Sequence, residues 1–173
     1  MTVPVNIGSD HIRGSIDAPV TIVEYGDYEC PYTGMAYPVV KEIMRRFGDK
    51  IYFVFRNFPL NDIHPHAQHA AEAAEAAAAQ DKFWQMHDYL FEHQKELDDN
   101  HLLEYAEKVE LDIDKFKKEM SGHIYAPLIN KSLKNGIDSG VEGTPTFFVN
   151  GVRYEDSWDL DTLSNILKKS LTK

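Results

Sequence analysis

Gly26-Asp27-Tyr28-Glu29-Cys30-Pro31-Tyr32-Thr33-Gly34, entered from the apolar, β-branched run Val20-Thr21-Ile22-Val23, decides how this chain is read. The sequence reads as strand, turn, thiol and helix start. Pro31 suits the first helical position, where a missing N–H costs nothing. Cys30 is the only cysteine. A thiol at a helix start meets unpaired backbone N–H groups and the positive end of the helix dipole, and both favour the thiolate. The Thr33 hydroxyl, about one turn along, is expected to donate a further hydrogen bond to that sulfur. Glu24, Asp27 and Glu29 oppose the thiolate if they lie close.

Outward from this point the helix is expected to continue to Phe47 and stop at Gly48-Asp49, with a kink at Pro38. Ile51-Tyr52-Phe53-Val54-Phe55 reads as a second buried strand. From His66 to about Ser139 the pattern is helical: an alanine-rich stretch (67–79), then apolar faces marked by Phe83, Met86 and Leu90, by Leu102 and Ala106, and by Phe116 and Met120. Asp99, Asn100 and Asp112 are candidate N-caps. Thr146–Val149, the turn pair Asn150-Gly151 and Val152–Tyr154 read as a hairpin. A closing amphipathic helix runs over 159–171. The order is β-α-β, a helical block, then β-β-α. Residues 1–18 read as a polar lead-in.

A hydrophobic content of 43% and an aromatic content of 12% support one globular core. A net charge of −10 argues against nucleic acid and against anionic membrane surfaces as partners. No apolar run approaches the roughly 20 residues that span a bilayer. Met1-Thr2-Val3-Pro4-Val5-Asn6 shows no secretory signal, so the expected location is cytoplasmic, or periplasmic or secreted if a leader has been removed. A single cysteine permits no internal disulfide, and any disulfide must be made with another molecule.

Three stretches together resemble the DsbA-like family of thioredoxin-fold proteins. Asp27–Tyr32 resembles the family's active-site opening, Gly143-Thr144-Pro145-Thr146-Phe147-Phe148-Val149-Asn150-Gly151 its proline loop, and Phe83-Trp84-Gln85-Met86-His87-Asp88 a segment of its helical insert. The resemblance implies an α/β thioredoxin-like fold over residues 1–173, a single domain with a helical insertion spanning about 62–140. It implies that Thr144-Pro145 is a cis bond beside Cys30. The Thr144 backbone is then free to pair with an extended peptide by strand addition, with Gly143 relieving crowding. Pro31, Tyr32, Thr144 and Pro145 become the expected substrate-binding residues, and Cys30 and Thr33 the expected catalytic ones.

The departure is at Thr33. The family's redox members carry Cys-Xaa-Xaa-Cys, and a dithiol cycle cannot run within a chain that has one thiol. Three outlets remain: exchange with glutathione, a mixed disulfide released by an outside thiol, or sulfenic acid reduced by a small thiol. The expected function is thiol–disulfide oxidoreduction through a single nucleophilic cysteine with an external resolving thiol. The partners are protein or small-molecule thiols and disulfides. No metal or organic cofactor is implied, although glutathione is a candidate co-substrate. The rival is a redox-inactive peptide-binding or chaperone-like module. His64, His66 and His69 invite a metal reading, but Pro65 and Ala67 mark an ordinary helix start, so surface or capping histidines are expected. Glu72 and Glu75 read as a solvated stripe. Phe83, Trp84, Met86, Tyr89 and Phe91 read as core.

Overall fold

Two apolar runs, β2 (Val20–Gly26) and β3 (Ile51–Asn57), lie side by side and parallel, with Ile22 opposite Phe53 and Glu24 opposite Phe55. They form the centre of a computed structural model that describes residues 1–173. The connection between them is α1 (Pro31–Phe47), which runs unbroken through Pro38 and ends at Gly48 with a positive φ. β4 (Thr146–Val149) pairs antiparallel with β2, and β5 (Val152–Tyr154) pairs with β4. The hairpin between them turns on Asn150 and Gly151, both at positive φ as the sequence pair requires. The full sheet has five strands in the order β1-β3-β2-β4-β5, where β1 is His11–Gly14.

β1 corrects the reading of residues 1–18 as a lead-in without regular structure. His-Ile-Arg-Gly carries one apolar side chain and forms a short edge strand, so no alternation announces it. The lead-in is also anchored by Arg56. This buried guanidinium makes two hydrogen bonds to Asp10, at 2.9 and 2.8 Å, and others to the Val3 and Pro4 carbonyls and the Tyr25 hydroxyl.

The alternation of β2 serves two layers. Val20 and Ile22 enter the larger core with α1 and with α7 (Leu160–Leu171). Val23 and Tyr25 face the other way, onto a smaller cluster with Val54, Phe58, Val141 and Phe148. Between β3 and β4 the chain makes five helices: α2 (Ala67–Ala78), α3 (Phe83–Glu92), α4 (Asp99–Lys108), α5 (Ile113–Ser121) and α6 (Ala126–Asp138). α2 is the hub, touching the other four. Its alanines at 70, 71, 73, 74, 76 and 77 are almost wholly buried, and side chains that end at Cβ let the neighbours come close.

Phe83, Met86 and Phe91 are core, with Trp84 and Tyr89 packed against it. The caps are Asp98 for α4 and Asp112 for α5. The solvated stripe is not found: Glu72 is 1% exposed, and Glu75 bonds His11 Nε2 at 2.8 Å and Asn57 Nδ2 at 3.2 Å. A glutamate on an alanine-rich helix looks surface-bound in sequence because its partners, His11 and His123, are distant in the chain. No helix is long and apolar enough to cross a membrane.

Candidate active site

The sheet register brings the two site segments together. Tyr25, at the end of β2, pairs with Thr146 at the start of β4, so the turn after β2 and the loop before β4 emerge at the same edge. Cys30 is the N-cap of α1 and Pro31 its first residue. The Thr144–Pro145 bond is cis. The Cys30 thiol donates to the Thr144 carbonyl, with Sγ 3.4 Å from the oxygen. The Thr144 N–H has no backbone partner within the chain. Tyr32 is 64% exposed and Met35, one turn further along α1, is 60% exposed, giving the edge an apolar rim.

Three expectations need correction. No N–H of the first helical turn is hydrogen-bonded to the sulfur; the thiol is turned toward the proline loop instead. Thr33 is fully buried, and its hydroxyl accepts from the Asp27 N–H at 3.5 Å rather than bonding the sulfur. Its methyl packs toward Gly26, where an added Cβ would stand 2.5 Å from the Phe55 ring. Gly143 relieves no crowding, because a Cβ there would meet nothing within 4 Å. The sulfur's residue is also well covered: Cys30 is 3% exposed.

Each acidic neighbour has an environment of its own. The Asp27 carboxylate accepts from the Glu29 N–H at 2.8 Å, the Leu60 N–H at 2.9 Å and His64 Nδ1 at 2.7 Å. Glu29 turns to the His66 N–H, at 2.7 Å. Glu24 is wholly buried, and desolvation pushes its carboxyl up to about 8, so it is largely protonated at neutral pH. His64, His66 and His69 do not gather into one site: His64 braces the turn, His66 precedes α2, and His69 points its Nδ1 to Asp99.

The helical insertion holds the turn at two points. Buried His87 places Nδ1 2.9 Å from the Tyr28 hydroxyl. Burial holds the His87 imidazole well below its ordinary range, with Arg13 and His11 adding to the effect, so it shares this hydrogen bond with Tyr28 as a neutral ring. Gln94 donates from Nε2 to the carbonyls of Tyr28, at 2.9 Å, and Cys30, at 2.7 Å. Gly34 is required by this approach, since a Cβ there would collide with the Gln94 amide. Sequence reasoning passed over Gln94 because it lies in an irregular segment after α3, with no periodic signal. Gln94→Ala is expected to lower stability by about 1–3 kcal/mol, the cost of leaving the Tyr28 carbonyl without a donor, while the Cys30 carbonyl keeps the Gly34 N–H at 3.0 Å. The midpoint of urea unfolding checks this.

The motif Phe83–Asp88 thus has a structural reason. Its histidine seats Tyr28, its tryptophan donates to the Ile12 carbonyl at 2.9 Å, and Asp88 receives Arg13, at 3.0 and 2.7 Å, and the Tyr37 hydroxyl of α1 at 2.9 Å.

Comparison with known proteins agrees with this architecture. The solved structure of oxidised BdbD from Bacillus subtilis superimposes with a TM-score of 0.86 at 26% identity, covering 97% of this chain and 96% of that one. Wolbachia pipientis alpha-DsbA1 gives a TM-score of 0.85 at 20% identity over 97% of this chain and 94% of that one, a likeness of fold. In sequence, 95% of the chain matches part of a Na(+)/H(+) antiporter NhaA 1 from Salinispora arenicola at 49% identity. A protein of the same name from Mycobacterium sp. matches at 42% identity, also over 95% of the chain. The chain spans about a quarter of the length of these relatives: 25% and 27%. The thioredoxin family model matches residues 6–169, so the chain belongs to the thioredoxin family and shares the fold of its DsbA-like members.

Proposed function

We propose that this chain is a thiol–disulfide oxidoreductase in which Cys30 is the sole nucleophile and an external thiol resolves the intermediate. The observation that carries this reading is the 3.4 Å contact between the Cys30 sulfur and the Thr144 carbonyl, beside a Thr144 N–H that has no backbone partner. In the proposed cycle the Cys30 thiolate attacks one sulfur of a partner disulfide. A Cys30–partner disulfide forms, the partner's S–S bond breaks, and the second sulfur leaves as thiolate and takes up the proton Cys30 has lost. A low-molecular-weight thiol, with glutathione as the candidate, then attacks the mixed disulfide. It becomes disulfide-bonded to the partner and returns Cys30 to the thiol, so no electrons are unaccounted for. Pro31, Tyr32, Thr144 and Pro145 form the partner's docking edge, with backbone pairing at Thr144 in the manner of strand addition. Thr33 positions the turn from below through its packing and its bond to Asp27, rather than through the sulfur. A compartment rich in reducing thiol, cytoplasmic in the simplest case, meets the need for an outside resolver.

The 3% exposure of Cys30 favours a second reading, a peptide-binding module without turnover. The two separate in one experiment. Wild type and Cys30→Ser are incubated with a short disulfide-bonded peptide at neutral pH and followed by intact mass. The oxidoreductase reading expects a one-to-one mixed disulfide in wild type only, released by added glutathione. Peptide binding without an adduct supports the module and sets the nucleophile aside.

A further inference from the structure

Away from the thiol, three donors from two separate segments converge on the helical insertion. The geometry points to a divalent transition-metal site of the zinc class, built by His69 and Glu72 of α2 and by His123 in the turn between α5 and α6. One ligand atom from each residue lies within 4.8 Å of the other two. A tetrahedral zinc centre with bonds of about 2.0–2.1 Å wants its donors about 3.4 Å apart, so closure of about 1.4 Å at most is needed. The side chains of His69 and His123 are 40% and 57% exposed and have room to make it.

The arrangement differs from a chance meeting of surface groups. Glu72 is 1% exposed, yet its carboxylate lies beside the imidazole of His123, with Oε1 3.1 Å from Nδ1. Its other oxygen has only the Gln68 amide, at 3.4 Å. Carboxylates are rarely buried to this degree without a strong partner. The rings of His69 and His123 are 5.5 Å apart, centre to centre. His69 Nδ1 is 2.7 Å from Asp99 Oδ1. A carboxylate bound to one ring nitrogen fixes the tautomer and leaves the other nitrogen unprotonated, the outer arrangement that metal-binding histidines use.

Two imidazoles and one carboxylate form a zinc-type donor set. Calcium and magnesium prefer oxygen donors throughout. Three protein ligands leave a fourth position, and the adjoining cleft, lined by Leu102, Phe116 and Met120, gives it access to solvent or a small ligand. The bound ion would tie α2 to a turn 51 residues beyond Glu72, clamping the insertion that holds the active-site turn.

The test uses the full chain carrying Cys30→Ser, so that the thiol cannot contribute, and zinc sulfate as the only ligand. Calorimetry is expected to show one zinc per chain with micromolar or tighter affinity, and zinc is expected to raise the melting temperature. His69→Ala and His123→Ala should each weaken binding by at least about tenfold, and Asp99→Asn by about tenfold through the loss of its support. His123 is exposed but is the partner of buried Glu72, so the native fold of its variant is checked by circular dichroism, and exposed His69 supplies a second variant should it unfold. The proposal is overturned if no stoichiometric binding occurs up to millimolar zinc, or if binding persists unchanged in His123→Ala. Neither result bears on the chemistry of Cys30.

Discussion

Thr33→Cys is expected to convert this chain into a dithiol oxidoreductase. Position 33 lies in the first turn of α1, three residues after the N-cap cysteine, and its side chain is fully buried beneath the turn. Cysteine is close to threonine in size, so the space against Gly26 and Phe55 still accommodates it. The one interaction lost is the 3.5 Å bond from the Asp27 N–H, which is weak by its length. A second thiol there can attack a mixed disulfide on Cys30, releasing the partner and closing a disulfide between positions 30 and 33. That intramolecular step replaces a collision with an outside thiol, so insulin reduction in the presence of dithiothreitol should rise by at least about tenfold over the natural sequence. A folded variant that shows no gain, with both thiols still free to alkylation, would mean that the turn does not hold the geometry required.

Glu24→Gln is expected to remove a large pH dependence of stability. Glu24 is fully buried, one of its oxygens has no hydrogen-bond partner, and its carboxyl is pushed up to about 8 from an ordinary 4.5. Between those values the folded chain holds a proton that the unfolded chain has released, so stability falls as pH rises. The contribution is fully present below 4.5 and is lost by the time pH passes about 8; on the scale of 1.36 kcal/mol per pH unit it amounts to about 4–5 kcal/mol. Glutamine carries no proton to lose. The variant should match the natural sequence at pH 4.5 and exceed it by several kcal/mol at pH 9, in urea unfolding at both values. Equal slopes for the two proteins would place the Glu24 carboxyl in contact with water. His87 acts on the other flank: it is neutral when folded and protonates on unfolding below its ordinary 6.5, so stability also declines as pH falls past that point.

Much of the fold was legible because its signals are local. The runs at Val20 and Ile51, the Asn150-Gly151 turn and the proline loop each declare themselves within a few residues. Cys30 and Thr144-Pro145 could be paired from sequence because the family resemblance supplied the tertiary link that spacing cannot. What stayed hidden depends on partners distant in the chain. β1 exists because Phe53 and Phe55 offer it an edge. Glu72 is buried and Glu75 half-buried, with His123 and His11 as their partners. Gln94 matters because the Tyr28 carbonyl, 66 residues earlier, has no other donor, and the Cys30 carbonyl, 64 residues earlier, gains a second one beside the Gly34 N–H. The direction of the thiol was also beyond reach: helix-start physics favours N–H groups around the sulfur, but a neutral thiol is a donor and turns to the nearest free carbonyl.

On the oxidoreductase reading, Cys30 owes its reactivity to the folded structure and keeps it despite burial. The sharpest check is the rate of glutathionylation by oxidised glutathione at pH 7, followed by intact mass on the native chain and on the same chain unfolded in urea. A functional nucleophile reacts faster when folded than when unfolded. A native chain that reacts only as fast as it transiently unfolds, and far more slowly than the denatured one, would rule that reading out.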